Sequence, residues 1–203
     1  MSRSLEDSSI KPKVPIILAS GSASRKQMLE EAGITFDVLV SPTDEDLIKD
    51  KISSLPFCEQ VIHLAKAKAE TVSNQNPESA VIGGDQMCAL DDRLLHKPGT
   101  KAKAIESLKT LSNKKHFQHS GVCIFKDNEC LWQYSETVEL KMHNLTEKEI
   151  INYVDIENPV NAAGSYKFES MGCNLFSYVN GSSHTVRGMP LLPLLNALRE
   201  LNI

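Results

Sequence analysis

The chain has 203 residues, of which 41% are hydrophobic, and this is typical of one domain that buries its core without disulfides or metals. Its 22 basic and 26 acidic residues give a formal net charge of −4, so no global positive field is available to bind long nucleic acid. The five cysteines are odd in number and widely spaced without a C-x-x-C pair, which argues against a disulfide framework and a zinc cage.

Residues 1–13 are polar and are predicted to form an N-terminal tail ahead of a single domain over residues 14–203. The tail lacks the apolar stretch of a signal peptide, and no later apolar run is long enough to span a bilayer. We therefore expect a cytoplasmic protein without a membrane partner.

The first half of the chain alternates apolar runs with helical patterns. The apolar run over residues 14–18 predicts a buried strand, and small residues lead from it into a helix. Ser24 and Gln27 have the spacing of a capping box at the start of that helix. Alternating apolar residues over 34–40 predict a second strand, which ends in an acidic corner. The next predicted elements are a helix over residues 58–72, a strand over residues 80–84 and a hairpin around Asp91-Asp92.

The second half contains more β-structure. After a helix over residues 104–111 and a β-rich stretch over residues 117–140, Thr146 and Glu149 have the spacing of another capping box and predict a helix start. The last predicted elements are a strand over residues 175–179, a turn at Asn180-Gly181 and a leucine-rich helix over residues 191–201. Helices interleaved with strands and hairpins predict an α/β fold with a mixed, twisted sheet and flanking helices.

The segment after the first predicted strand combines several features that favour a phosphate. Ser20, Ser22 and Ser24 supply hydroxyls, the helix N-terminus supplies backbone N–H groups, and Arg25 supplies a guanidinium. The spacing matches neither of the two named glycine-rich phosphate loops. On this segment alone, an ordinary serine-capped helix with surface cations is the favoured alternative.

Three charged residues indicate where chemistry occurs. Lys68 lies on the apolar face of its predicted helix, where a cation needs an anionic partner, although a lysine reaching out from the edge of that face is an alternative. Asp85 is expected just past a strand, and strand ends are where open α/β sheets assemble sites. Glu45 lies in the acidic corner, for which a solvated turn is the alternative. If these carboxylates meet opposite the phosphate loop, they would bind Mg²⁺ or Mn²⁺ through hard oxygen ligands.

Taken in order, these segments resemble the Maf family of nucleotide pyrophosphatases. The resemblance runs from about Val14 to the C-terminus, and it depends on the ordered series rather than on any one motif. The segments that carry it are Leu18-Ala19-Ser20-Gly21-Ser22, Asp44-Glu45, Leu64-Ala65-x-x-Lys68-Ala69, Gly83-Gly84-Asp85, Lys97-Pro98, Ser120-Gly121-Val122, Ala163-Gly164-Ser165 and Gly188-Met189-Pro190.

The resemblance implies an enzyme that cuts nucleoside triphosphates between the α- and β-phosphates. It implies a two-lobed α/β fold like that of the inosine-triphosphate pyrophosphatases, a cleft between the lobes, dependence on a divalent metal, and a homodimer. It assigns the catalytic carboxylate to Asp85, which shares the metal with Glu45. It assigns the cations that neutralise the phosphates to Arg25, Lys68 and Lys97. In the expected mechanism, Asp85 is the general base for a water that attacks the α-phosphorus.

The resemblance also marks the positions that select the base, which are Ser24, Gln86 and Glu169. Gln86 and Glu169 are similar to the branch that acts on 7-methyl-GTP, whereas the branch acting on dTTP and UTP typically has threonine and glutamine there. Methylation of guanine at N7 makes the base cationic, so a facing carboxylate has an electrostatic rationale. The alternatives are a dTTP and UTP pyrophosphatase of the same family, a non-catalytic binding protein that regulates cell division, and a nucleic-acid-binding module, which the net charge disfavours.

Overall fold

The structure is a computed structural model that describes residues 12–203, so the predicted tail, apart from Pro12 and Lys13, lies outside the described residues. Helices are interleaved with strands and hairpins along the chain, as predicted. Two short 3₁₀ helices, Ala163–Ser165 and Met171–Leu175, precede the last strand. The strands and α-helices in chain order are β1 (Ile16–Leu18), α1 (Ala23–Glu31), β2 (Asp37–Val38), α2 (Glu45–Ile52), α3 (Phe57–Ser73), β3 (Ala80–Leu90), β4 (Arg93–Leu95), α4 (Lys101–Leu111), β5 (Lys115–Lys126), β6 (Glu129–Met142), α5 (Glu147–Glu157), β7 (Phe176–Asn180), α6 (Ser183–Val186) and α7 (Leu191–Glu200).

The seven described strands form one sheet in the order β2-β1-β3-β5-β6-β7, with β4 paired to β3 off this path. β1 is parallel to both of its neighbours, with Ile17 opposite Asp37 on β2 and opposite Val81 on β3. β4 is antiparallel to β3, and β7 is antiparallel to β6. The predicted α/β fold with a mixed sheet is therefore confirmed. Within residues 12–203, no helix combines the length and the apolar character needed to cross a membrane.

The chain divides into two compact units, which we describe separately. The first unit contains the described residues up to Asp85, together with Ser120–Glu136 and Gly188–Ile203. The second unit contains Gln86–His119 and Thr137–Arg187. Each of the strands β3, β5 and β6 contributes residues to both units.

In the first unit, β1 and β3 carry apolar side chains on both faces. Leu18 and Ile82 pack into one buried cluster, with side chains of α1 and α7. Ile17 and Val81 pack into another, with side chains of α3. Because successive side chains of a strand point to opposite faces, these short strands supply both clusters at once.

Gly83 on β3 sets how closely α3 approaches the sheet. A Cβ atom added at Gly83 would lie 2.2 Å from the carbonyl oxygen of Ala65 and 2.8 Å from Cβ of Ala69. A backbone atom this close cannot move aside, so no side chain fits at this position. The contact holds α3 against β3 at the level of Lys68, which lies between Ala65 and Ala69 along the helix.

In the second unit, α4 and α5 pack against β6 around fully buried Leu108, Leu140 and Ile150. A polar group is buried within the same unit. The Nε2 atoms of His116 and Gln118 lie 2.9 and 2.8 Å from the hydroxyl oxygen of Tyr166. Burial lowers the pKa of His116 to about 4, so its imidazole is neutral at pH 7.

Two predictions about the first unit's early elements are wrong in their bounds. The strand predicted over residues 34–40 is only Asp37–Val38, because Ile34 turns inward and is 7% exposed in the core. The helix predicted to begin at the Ser24 capping box begins at Ala23, with Ser22 as its N-cap. The side chain expected to close that box, Gln27, donates to Glu31 instead.

The acidic corner is the start of a helix rather than a solvated turn. The carboxylate of Asp44 accepts hydrogen bonds from the backbone N–H groups of Asp46 and Leu47 at 3.1 and 3.3 Å, and α2 follows from Glu45. Asp44 is thus an N-cap, which satisfies two N–H groups that have no partner inside the helix. The corner therefore presents Glu45 from the first turn of a helix.

Asp85 lies within a strand and not past the end of one. The strand predicted over residues 80–84 and the first arm of the predicted hairpin are one continuous strand, Ala80–Leu90. The strand continues through Asp85 because the carboxylate, 10% exposed, is neutralised by a lysine from α3. The apolar residues beyond it, from Met87 to Leu90, are also buried.

Candidate active site

Arg25 is the buried cation at the start of α1, with 8% of its surface exposed. Its Nε donates to the carbonyl oxygen of Gly188 at 2.8 Å, and its Nη1 donates to Ser20 Oγ at 3.0 Å. Gly84 lies beside it, since an added Cβ there would be 3.1 Å from Arg25 Nε. These contacts fix the plane of the guanidinium, which has further N–H groups for an anion.

The charge of Arg25 is set by opposing effects. Burial lowers the pKa of its guanidinium below the ordinary value, while the charges of Asp85 and Glu45 act to raise it. Arg25 remains protonated at neutral pH because a guanidinium holds its proton very strongly. The two carboxylates are therefore close enough to act on Arg25 electrostatically, and all three belong to one site in the first unit.

The predicted phosphate loop is organised by its own serines. Ser22 Oγ accepts from the backbone N–H of Arg25 at 3.4 Å, and Ser20 Oγ accepts from the backbone N–H of Ser22 at 3.3 Å. Ser24 lies in the first turn of α1 and is half-buried. The hydroxyls of Ser20 and Ser22 thus shape the loop and hold Arg25, and the helix N-terminus favours an anion at the same place.

Lys68 joins the two predicted carboxylates. Its Nζ lies 2.7 Å from Asp85 Oδ1 and 2.8 Å from Glu45 Oε1. The side chains of Lys68 and Asp85 are 12% and 10% exposed, so the attraction between them is weakly screened by water. Lys68 therefore has the anionic partners that its position on the apolar face of α3 requires, and it does not extend from the edge of that face into solvent.

Glu45 is ionised in this arrangement. Burial raises the pKa of its carboxyl, but the hydrogen bond and charge of Lys68, followed by those of Lys49, outweigh burial and lower the pKa below its ordinary value. Lys49 Nζ lies 3.4 Å from Glu45 Oε2. Glu45 thus meets a cation on each oxygen, and one of these cations also binds Asp85.

The donor set fits a magnesium or manganese ion that also binds substrate. Among residues 12–203, no group of three or more His, Cys, Asp or Glu side chains is arranged to hold a metal by itself. Mg²⁺ is usually bound by one or two carboxylates, with water and substrate phosphates completing its coordination. Asp85 and Glu45, brought to one ammonium, supply two such carboxylates.

The remaining predicted residues, Gln86, Lys97 and Glu169, lie in the second unit. Gln86 follows Asp85 on β3, and its Nε2 donates to the carbonyl oxygens of Thr185 and Val186 at 3.1 and 2.8 Å. Because both amide protons are used in this way, Gln86 offers a ligand its acceptor oxygen, Oε1.

Lys97 and Glu169 are both exposed. Lys167, the cation nearest to Glu169 in sequence, is engaged elsewhere. Its Nζ donates to the carbonyl oxygen of Glu157 at 2.6 Å and lies 4.0 Å from that residue's carboxylate. The exposed carboxylate of Glu169 is on the surface of the second unit.

Sequence reasoning missed the carbonyl of Gly188 as an acceptor for Arg25. A backbone carbonyl cannot be recognised by residue type, although the φ of Gly188 is 112°, a conformation that favours glycine. Reasoning also missed two threonines beside the carboxylates, Thr43 and Thr71, because threonine in a loop or helix carries no distinctive pattern.

A buried guanidinium at a helix N-terminus favours a phosphate or another anion as ligand, and this defines the class as an α/β protein with an anion site. Residues 15–201 match the protein family described as "Maf-like protein", and the chain belongs to that family.

Related proteins match almost the whole chain. A "Nucleoside triphosphate pyrophosphatase" of Legionella pneumophila is 42% identical over 189 residues, which are 93% of this chain and 94% of the relative. A "7-methyl-GTP pyrophosphatase" of Rhizobium etli is 38% identical over 191 residues, which are 92% of this chain and 96% of the relative. A solved structure of a HAM1 protein from Coxiella burnetii is similar with a TM-score of 0.46 and 16% identity, covering 93% of this chain and 96% of that one.

Proposed function

We propose that this chain is a nucleoside triphosphate pyrophosphatase whose preferred substrate is 7-methyl-GTP. It cleaves the bond between the α- and β-phosphates and releases 7-methyl-GMP and pyrophosphate. The observation that carries the proposal is the Lys68 ammonium held between Asp85 and Glu45, beside the buried Arg25. The names of the relatives in Legionella pneumophila and Rhizobium etli support hydrolysis of a phosphoanhydride.

Arg25 and Lys68 neutralise the charge that grows on the phosphate oxygens in the transition state. Arg25 is already oriented by Gly188 and Ser20, so little rotamer freedom is lost when a phosphate binds. Lys68 has three N–H donors and places two of them on Asp85 and Glu45, which leaves the third for a phosphate oxygen. Lys97 adds a third cation for the leaving pyrophosphate.

Asp85 acts as the general base. Its Oδ1 accepts from Lys68, and its Oδ2 receives the proton of the water that attacks the α-phosphorus. The hydrogen bond from Lys68 orients the carboxylate and leaves Oδ2 for the water.

Asp85 and Glu45 would also hold Mg²⁺ or Mn²⁺ together with the substrate phosphates. When bound, the metal shields the negative charge of the phosphates and helps generate hydroxide near neutral pH. The two carboxylates are at the same time the groups that keep Lys68 in place. Removing either one is therefore expected to disturb the metal and the lysine together.

Gln86 and Glu169 support a cationic guanine as the base. Gln86 Oε1 can accept from the ring N–H of guanine, uracil or thymine and also from the exocyclic amino group of adenine, so it does not select the base by itself. The exposed carboxylate of Glu169 distinguishes among these bases, since only N7-methylguanine carries a positive charge.

The test is a pyrophosphate-release screen over 7-methyl-GTP, GTP, UTP, dTTP and ATP, with Mg²⁺ or Mn²⁺ supplied. We expect 7-methyl-GTP to give the highest kcat/KM and the nucleotides with uncharged bases to give lower values. A preference for UTP or dTTP would overturn the base assignment while leaving the reaction intact. No release from any nucleotide would overturn the reaction itself. Asp85→Asn, prepared in the same way, controls for a contaminating pyrophosphatase.

A further inference from the structure

A chain of hydroxyl groups connects the loop before α2 to helix α3. Thr43 Oγ1 lies 2.6 Å from Ser41 Oγ, 3.0 Å from Thr71 Oγ1 and 3.3 Å from the carbonyl oxygen of Ala67. Thr71 Oγ1 donates to that same carbonyl at 2.8 Å. Thr43 is the centre of the chain, and none of these four residues takes part in the chemistry proposed above.

The directions of these hydrogen bonds follow from the proton count. A hydroxyl has one proton to donate and two lone pairs that accept. Thr71 gives its proton to the Ala67 carbonyl and accepts from Thr43, which shares its proton with the same carbonyl at 3.3 Å, and Thr43 in turn accepts from Ser41. The chain thus runs in one direction and ends on a backbone carbonyl of α3, with each bond polarising the next.

The hydroxyl groups belong to residues that are close in sequence to Glu45 and to Lys68. Thr43 is two residues before Glu45, and the intervening Asp44 caps α2. Ala67 directly precedes Lys68, and Thr71 is on the next turn of α3. The hydroxyls therefore connect the residues before Glu45 to the turns of α3 that carry Lys68.

Water screens the Glu45–Lys68 ion pair on one side only. The Glu45 side chain is 39% exposed and that of Lys68 is 12% exposed, so salt weakens the attraction in part. The hydroxyl chain is half-buried and anchored on backbone, so its geometry depends little on salt. The hydroxyls therefore restrain the segment before Glu45 in a way that does not depend on charge, in addition to the ion pair.

We propose that Thr43, supported by Thr71, is a positioning residue that holds Glu45 against Lys68 for catalysis. This inference rests on the proposed function and deepens it, because it adds a device that acts on the metal-binding carboxylate and contacts no substrate.

The experiment compares Thr43→Val, Thr43→Ser, Thr71→Val and the double variant Thr43→Val/Thr71→Val. Valine keeps the branched shape and removes the hydroxyl, whereas serine keeps the hydroxyl. Thr110→Val is the matched control, since Thr110 Oγ1 donates to the carbonyl of Glu106 four residues earlier, as Thr71 does to Ala67, at 2.9 Å. Thr110 lies in the second unit, away from the chain of hydroxyls.

We expect Thr43→Val to lower kcat for 7-methyl-GTP roughly tenfold, the change that corresponds to about one hydrogen bond. KM for the nucleotide stays within about twofold, and the Mg²⁺ concentration for half-maximal activity rises, because Glu45 and not the phosphate cations is displaced. Thr43→Ser recovers most of the activity. The double variant loses little more than Thr43→Val, since both changes break the same chain. Thr110→Val matches the wild type.

Deuterium uptake by the backbone over residues 42–52 supplies a readout that needs no turnover. The inference predicts faster uptake there in Thr43→Val than in the wild type or Thr110→Val. Unchanged uptake overturns it, and so does faster uptake with wild-type kcat and Mg²⁺ dependence. A loss of kcat that Thr43→Ser does not recover also overturns it. If the wild type releases no pyrophosphate from any nucleotide, the proposed function fails, and uptake alone then decides whether Thr43 fixes this segment.

Discussion

The first unit buries a cluster of opposite charges, whereas the second unit buries a neutral polar pair. In the first unit, Lys68 Nζ lies 2.7 Å from a carboxylate oxygen of Asp85 and 2.8 Å from one of Glu45, so opposite charges meet in a buried place. In the second unit, burial removes the charge of His116, whose pKa falls to about 4, and the ring bonds to the hydroxyl of Tyr166. Charges kept ionised by opposite charges can stabilise a developing phosphate charge, whereas a neutral pair specifies packing. We therefore assign the chemistry to the charged cluster of the first unit and a packing role to the neutral pair of the second.

Asp85→Asn tests the first half of this comparison and has the largest expected effect. The substitution keeps the size of the side chain but removes the base and a metal ligand, so kcat for 7-methyl-GTP should fall by roughly 10²–10⁴-fold. Steady-state pyrophosphate release measures the loss, and circular dichroism reports whether the fold is intact. A variant that keeps more than about a tenth of the wild-type kcat would show that Asp85 is not the base.

Lys68→Met asks whether the retained charge itself matters. The change leaves the carboxylates of Asp85 and Glu45 without their shared ammonium, so kcat/KM should fall roughly 10²-fold, and Tm should fall by roughly 5–10 °C. Activity and thermal melts measure the two effects. Lys66→Met is the control, because Lys66 is on the same helix without a part in the carboxylate bridge. Equal behaviour of the two variants would remove Lys68 from the site.

Glu169→Gln sharpens the comparison on the substrate side. Removing one carboxylate should lower the preference for 7-methyl-GTP over GTP by roughly tenfold, within the 1–3 kcal/mol expected of one such contact. The reduction comes from a lower kcat/KM for 7-methyl-GTP. The value for GTP stays the same and serves as the internal control. If both substrates change by the same factor, Glu169 does not read the charge of the base.

His116→Gln tests the second unit and should leave activity unchanged. The pKa of His116 is about 4 in the folded chain against an ordinary 6.5, so the unfolded chain binds the proton first as pH falls. Stability is therefore full above pH 6.5 and declines toward pH 4, by up to about 3 kcal/mol. Urea unfolding at pH 7 and pH 5 measures this decline in the wild type and in the variant. Other titrating groups change the free energy of unfolding equally in both proteins, so their effect cancels. The variant should lose less stability over that interval than the wild type.

Much of the fold was predictable because its signals are local. The spacing of Thr146 and Glu149 predicted a capping box that is present at α5, and the apolar face of α3 predicted that Lys68 points inward and needs an anion. The first turn of α2 was not predictable, since Asp44 in an acidic run looks the same whether it caps a helix or meets solvent. The continuity of β3 through Asp85 depends on a lysine 17 residues earlier in the chain, which no local pattern reveals.

The contacts that orient the site were the least predictable part. The carbonyl of Gly188 lies 163 residues from Arg25 in sequence, and Thr43 and Thr71 are 28 residues apart. Backbone carbonyls and single hydroxyls have no compositional signature. Residue type therefore predicted the charged groups, whereas the carbonyl and hydroxyl groups that orient them could be found only from the structure.

The close contact at Gly83 has a consequence for transplanting this site onto another protein. In this protein, Lys68 reaches the carboxylates of Asp85 and Glu45 from a helix that lies against β3, and a methyl group at Gly83 would collide with the backbone of that helix. A designer who copied Arg25, Glu45, Lys68 and Asp85 onto a scaffold with alanine at this position would obtain the correct side chains at the wrong separation. A transfer of this site therefore requires glycine at this position as well as the four charged residues.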